Sequence, residues 1–115
     1  MNTRQIEHVA RQKLEEMFGL SLPKRKLVVG YDSKNFPKIH EFDLVSDDGQ
    51  IVGEITSTKR AHDRTLRNCI FLSKIKAKKK ILVLTDKNFY QSFRSKYEGI
   101  LPSDVEVLLL NFDRT

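Results

Sequence analysis

The segment HEFDLVSDDGQIVGEITST, residues 40–58, constrains this chain more than any other. HEFDLVS and IVGEITST are both strand-like, and DDG between them is a turn signal. A two-residue turn at Asp48 and Gly49 predicts a hairpin in which Asp47 faces Gln50, Asp43 faces Glu54 and Glu41 faces Thr56. Strand side chains alternate faces with a period of two, so Glu41, Asp43, Glu54 and Thr56 share one face. Phe42, Leu44, Gly53 and Ile55 share the other, an apolar set suited to a core. Like charges directly opposite each other destabilise a sheet. The acidic face therefore has two readings. It is a solvated face of the kind antiparallel hairpins commonly show, or it holds a divalent cation that offsets the repulsion.

The flanking elements follow from periodicity. Ile6, Val9, Ala10, Leu14 and Met17 recur at helical spacing over residues 3–18, with a capping box at Asn2 and Gln5 and a stop at Gly19. KLVVGY, residues 26–31, reads as a strand, and Pro37 punctuates the loop after it. From Lys59 to about Lys78 the pattern is helical. Leu66, Cys69, Ile70, Ser73 and Ala77 are expected inward, and Arg60, Arg64, Arg67, Lys74 and Lys78 outward. KILVLT, 80–85, is the short continuous apolar run of a buried strand. KNFYQSFRSKYEGIL is a helix with Phe89, Phe93 and Tyr97 on its core side, and VEVLLL, 105–110, is a last strand. The order helix, three strands, helix, strand, helix, strand predicts one α/β domain over residues 1–115. Helices flank a mixed sheet whose first three strands form a meander and whose last two are parallel neighbours.

Lys and Arg total 21 against 15 Asp and Glu, a net charge of +6, which favours a polyanion partner and nucleic acid first. No apolar stretch approaches the ~20 residues of a membrane span. MNTRQIEHVARQK lacks the apolar centre of a signal peptide, and the single Cys69 cannot pair within the chain. A cytoplasmic protein with no membrane partner is the expectation.

Asp43 and, eleven residues on, Glu54, on adjacent strands after an N-terminal helix, resemble the PD-(D/E)XK nuclease superfamily, the restriction-endonuclease-like fold. The element order resembles that family's core over nearly the whole chain, and KIHEFDLVSDDGQIVGEITSTK resembles its motif region. The resemblance implies metal-dependent cleavage of phosphodiester bonds, with DNA as the expected substrate, Mg²⁺ or Mn²⁺ as cofactor, and Asp43 and Glu54 as its ligands. Two positions depart from the pattern. Phe42 stands where the family has proline, and Thr56 stands where it has the lysine that orients the water and stabilises phosphate charge. Thr56 itself, Lys59 and Arg60 are the candidates for what replaces that lysine. A nuclease-fold protein without catalysis that binds nucleic acid or a partner protein is the alternative. A regulatory or assembly protein unrelated to nucleic acid is a third reading.

Other side chains are candidates for the same site. The first helix offers Glu7, Glu15 and Glu16 as a further acid, with Glu7 first because it borders the apolar stripe. His40 is a candidate base or phosphate contact, although its parity sets it beside Phe42. No His/Cys spacing suits zinc, and no glycine-rich phosphate loop is present. Arg60, Arg64, Arg67, Lys74 and Lys78, with the basic run KIKAKKK at 74–80, are the expected nucleic-acid contacts. A small nuclease core often works as a dimer, so a homodimer is a further expectation, though no segment marks its interface.

Overall fold

In the computed structural model, which describes residues 1–111, the chain runs α1 (Thr3–Phe18), β1 (Arg25–Tyr31), β2 (Pro37–Phe42), β3 (Leu44–Val45), β4 (Ile51–Thr56), α2 (His62–Ser73), β5 (Lys79–Leu84), α3 (Lys87–Lys96) and β6 (Glu106–Leu109). The capping box starts α1 as expected: Asn2 accepts from the Gln5 amide, and the Gln5 side chain accepts from the Asn2 amide. Gly19 ends the helix in the left-handed region at φ 69°. None of the described helices is long and apolar enough to cross a membrane.

The strands form two sheets rather than one. β1 and β2 make an antiparallel ribbon of their own. The other sheet has the order β3-β4-β5-β6, with β3 antiparallel to β4 and β5 and β6 parallel to it. Each parallel connection passes through a helix, α2 and then α3, as parallel neighbours require. Leu14 of α1 packs with Leu22, Leu44, Ile81 and Val83 on one face of this sheet. On the other face Cys69 and Leu72 of α2 and Phe89 and Phe93 of α3 pack with Val45, Val52, Leu82 and Leu84. The result is an α/β domain with a mixed sheet between helices.

The hairpin keeps its expected register, with Leu44 opposite Gly53 and Val45 opposite Val52. Its loop is longer, however: the Ser46 amide donates to Ile51 O, so residues 47–50 make the turn. Adding one residue on each side leaves the pairing unchanged. The larger difference lies at Asp43, where the chain bends out of the ribbon and into β3. Glu41 therefore pairs with Lys26 of β1 instead of Thr56. The bend also divides the expected apolar face, sending Phe42 into the core under α2 and α3 and Leu44 into the core under α1.

Other expectations are corrected in the same way. α2 is shorter than residues 59–78, and Ile70 lies on its outer side, 42% exposed. Met17 is 61% exposed in the last turn of α1. Lys80 belongs to the basic run by sequence but is 8% exposed, its ammonium donating to Ile75 O at 2.8 Å and to Asp104 Oδ2 at 2.5 Å. That lysine ties the end of α2 to the approach of β6 and offers nothing to a polyanion.

At Gly53, β3 and β5 crowd close against β4. A Cβ there would lie 2.7 Å from Ile81 Cγ1 and 3.0 Å from both Ile81 O and Leu44 Cδ1. Gly53→Val should destabilise the fold by about 1–3 kcal/mol through overpacking. Chemical denaturation checks this, and an unchanged midpoint would show that the two strands yield.

Candidate functional site

The bend at Asp43 leaves part of the β3–β4 ladder without a backbone partner, and side chains fill the gap. Asp43 Oδ2 accepts from the Ile55 amide at 2.8 Å, so a carboxylate takes the place of a ladder carbonyl. Arg11 of α1 holds the bend from outside, its Nη2 donating to Asp43 O at 2.6 Å and its Nε to Leu22 O at 3.1 Å.

Glu54 projects from β4 beside Asp43 and is 5% exposed. Its Oε1 lies 2.7 Å from His40 Nε2 on β2. The His40 ring sits edge-on to Phe42 and tilted against Phe71 of α2, both at 4.7 Å between centroids. Glu7 of α1 completes a row of three carboxyls through a hydrogen bond with Asp43. Its Oε1 meets Lys24 Nζ at 3.2 Å and Arg11 Nη2 at 3.4 Å.

Such a row shares protons, and the environment decides where they sit. Burial, then the charge and hydrogen bond of Asp43, push Glu54 up to about 9. Burial also raises Asp43, helped by the Glu7 charge and opposed by the Ile55 amide. Burial acts on Glu7 too, but the Asp43 hydrogen bond, Lys24 and Arg11 together hold it below the ordinary carboxylate value. Asp43 and Glu54 are thus both raised while Glu7 is lowered. Burial and the Arg67 charge lower His40, so the contact joins a raised carboxyl to a lowered imidazole. Whether the proton rests on Oε1 or on Nε2, the pair holds one.

Asp43 and Glu54 open onto a polar pocket of about 410 Å³, lined also by Thr3, Thr56, Thr58, Arg64, Thr65 and Asn68. Thr56 and Arg64 are therefore brought to the carboxyls. Lys59 is not. The Thr58 hydroxyl accepts from the Arg60 and Ala61 amides, turning the chain after β4 so that Lys59 and Arg60 stand exposed outside the pocket. Arg67 is exposed one turn along α2 from Arg64, while Lys74 and Lys78 are exposed at and beyond the far end of that helix. The five basic residues thus occupy both ends of α2 rather than one patch.

The hard oxygens of Asp43 and Glu54 suit a divalent ion such as Mg²⁺, which usually takes one or two carboxylates together with waters and phosphate. No set of three or more His, Cys, Asp or Glu among the described residues is arranged as a ready cage. Glu7 and Glu54 oxygens are engaged by Lys24 and His40, so an ion would have to exchange with those partners and with the Glu54 proton.

Sequence reasoning did not anticipate Arg11, Lys24, Asn68 or the His40–Glu54 contact. Only the i, i+4 spacing of Glu7 and Arg11 hints at any of them. Comparison with protein-family models, with curated proteins and with solved structures gives no match to this chain.

Proposed function

We propose that this chain is a metal-dependent nuclease of the restriction-endonuclease-like kind, cleaving phosphodiester bonds in DNA. One observation carries the reading. Two carboxyls, Asp43 and Glu54, open onto one polar pocket that an arginine also lines, with Glu7 near enough to Asp43 to act on its ionisation. Burying carboxyls together costs free energy unless something compensates the charge. The element order supports the same reading.

Asp43 and Glu54 would hold the ion, Mg²⁺ or Mn²⁺, and Glu7 would steady Asp43 from behind. A divalent ion so held supplies charge to polarise a phosphate and acidify a water. The chain's own residues account for the rest. His40 Nε2 takes the proton that leaves Glu54. Arg64 meets the phosphate oxygens with a planar fork of donors and stabilises the charge that develops there, the task the missing lysine has in the family. Thr56 offers a hydroxyl at the lysine's position.

A second reading rests on a different observation: among the described residues no lysine lines the pocket, and burial beside Asp43 pushes Glu54 up to about 9, which opposes its ionisation as a ligand. A nuclease-fold protein that binds nucleic acid without cutting it fits both facts. Incubation of the purified chain with DNA and with RNA, in Mg²⁺ and in Mn²⁺, separates the two. Metal-dependent cleavage that Asp43→Asn abolishes is the expected result. Salt-dependent binding without cleavage favours the second reading. Neither binding nor cleavage sinks both and leaves a role unrelated to nucleic acid.

A further inference from the structure

β1 pairs with β2 along one edge and, among the described residues, with no other strand along the opposite one. An open groove of about 770 Å³ follows β1, with Val28, Gly30 and Tyr31 on one wall and Lys74 and Lys76, just past α2, on the other. Tyr31 is 65% exposed. Both lysines are exposed, and neither makes an ion pair among the described residues. A Cβ added at Gly30 would meet nothing within 4 Å, so the groove stays open beside the strand. Asp48 at its rim is engaged by Ser46 and the Gln50 amide.

We infer that this groove is a second nucleic-acid contact, taking a single strand whose reacting phosphate lies at the Asp43–Glu54 pocket. The inference rests on the nucleic-acid reading above. Charge complementarity selects the occupant: two unpaired ammonium groups face a polyanion, and an exposed aromatic ring offers a platform for a base. Bases in a duplex have their faces stacked on one another and cannot use such a ring, whereas an unpaired strand can. The two sites are also joined. Arg64 and Arg67 on the exposed side of α2, and Lys74 at its C-terminal cap, lead from the pocket to the groove. Ten residues of helix rise about 15 Å, a span that a strand of roughly four or more nucleotides bridges.

Fluorescence anisotropy on the full chain in EDTA tests this without depending on catalysis. The probes are labelled oligothymidylates of about 12 and about 3 nucleotides and a duplex of about 12 base pairs, lengths chosen against known single-strand site sizes of roughly 4–16 nucleotides. Tyr31→Ala should weaken binding of the longer single strand about tenfold, the scale of one lost base-stacking contact, and leave the shorter one unchanged. Lys74→Gln and Lys76→Gln should each reduce the slope of log affinity against log salt by about 0.7. All three sites are exposed, and circular dichroism confirms that the variants fold. Equal affinity of variants and wild type for the longer strand overturns the inference. So does an equal loss on duplex, or a change confined to self-association or to binding of an acidic peptide, which would make the groove a protein site. Cleavage with unaltered strand affinity in the variants sinks the groove alone. The predicted losses in a protein that never cleaves sink only the catalytic reading.

Discussion

Arg64→Ala should lower the rate of DNA cleavage by about two to three orders of magnitude, the scale of removing one preorganised donor from a developing charge. Arg64 lines the pocket that Asp43 and Glu54 open onto, and among the described residues it is the only Lys or Arg lining it. Lys59→Ala should leave the rate within about twofold, because that side chain stands outside the pocket and a solvated cation contributes little. Arg64→Lys keeps the charge but loses the forked geometry, so it should recover only part of the rate. Thr56→Lys places on the pocket wall the lysine that the resembled superfamily has there, and on the proposed function it should raise the rate. Single-turnover cleavage in Mn²⁺ reads the rates, and calorimetry checks that Arg64→Ala still binds the ion. If Lys59→Ala instead carries the loss, the turn after β4 must rearrange on substrate binding, and Arg64 is not the replacement for the missing lysine.

The helices and the hairpin register were legible because their signals are local. A capping box, a left-handed glycine and the aromatic repeat Phe89, Phe93 and Tyr97 each act within a few residues. The break at Asp43 was not legible, since alternation runs unbroken through Phe42, Asp43 and Leu44. Nothing in those letters says that the first packs under α2 and the third under α1. Lys80 was misread for a similar reason. Lys79 at the start of β5 is exposed, but Lys80 shares a face with Leu82 and Leu84, which α2 and α3 cover, and it reaches Asp104 along its aliphatic stem. The pairing of Asp43 with Glu54 came from turn chemistry. The contribution of Arg64 depended on where α2 begins, and that boundary is set by the Thr58 turn rather than by periodicity.

Glu54→Gln should raise the melting temperature at about pH 8 by on the order of 10 °C and change it little near pH 5. The unfolded chain releases the Glu54 proton around its ordinary value of 4.5, whereas the folded chain keeps it up to about 9. A carboxyl raised in this way contributes stability that is fully present below pH 4.5 and is lost as pH rises through 9. Each pH unit in that window costs about 1.4 kcal/mol, so the wild type loses roughly 3 kcal/mol between pH 4.5 and 7 and more by pH 8. Glutamine has no proton to lose, and its amide can still donate to His40 Nε2, so the contact at 2.7 Å persists in kind. His40 titrates as part of this pair, so the difference between the two proteins reads the proton of the pair as a whole. Thermal denaturation of the two proteins across this range gives the comparison directly. A gap that is constant with pH would mean the proton is not held at this pair. Mg²⁺ adds a second discriminator. If Asp43 and Glu54 bind the ion, it should displace the shared proton and raise the wild-type melting temperature at pH 8, while Glu54→Gln stays where it was. A wild type indifferent to Mg²⁺ and Mn²⁺ at every pH would leave the carboxyl row as a proton store and not a metal centre.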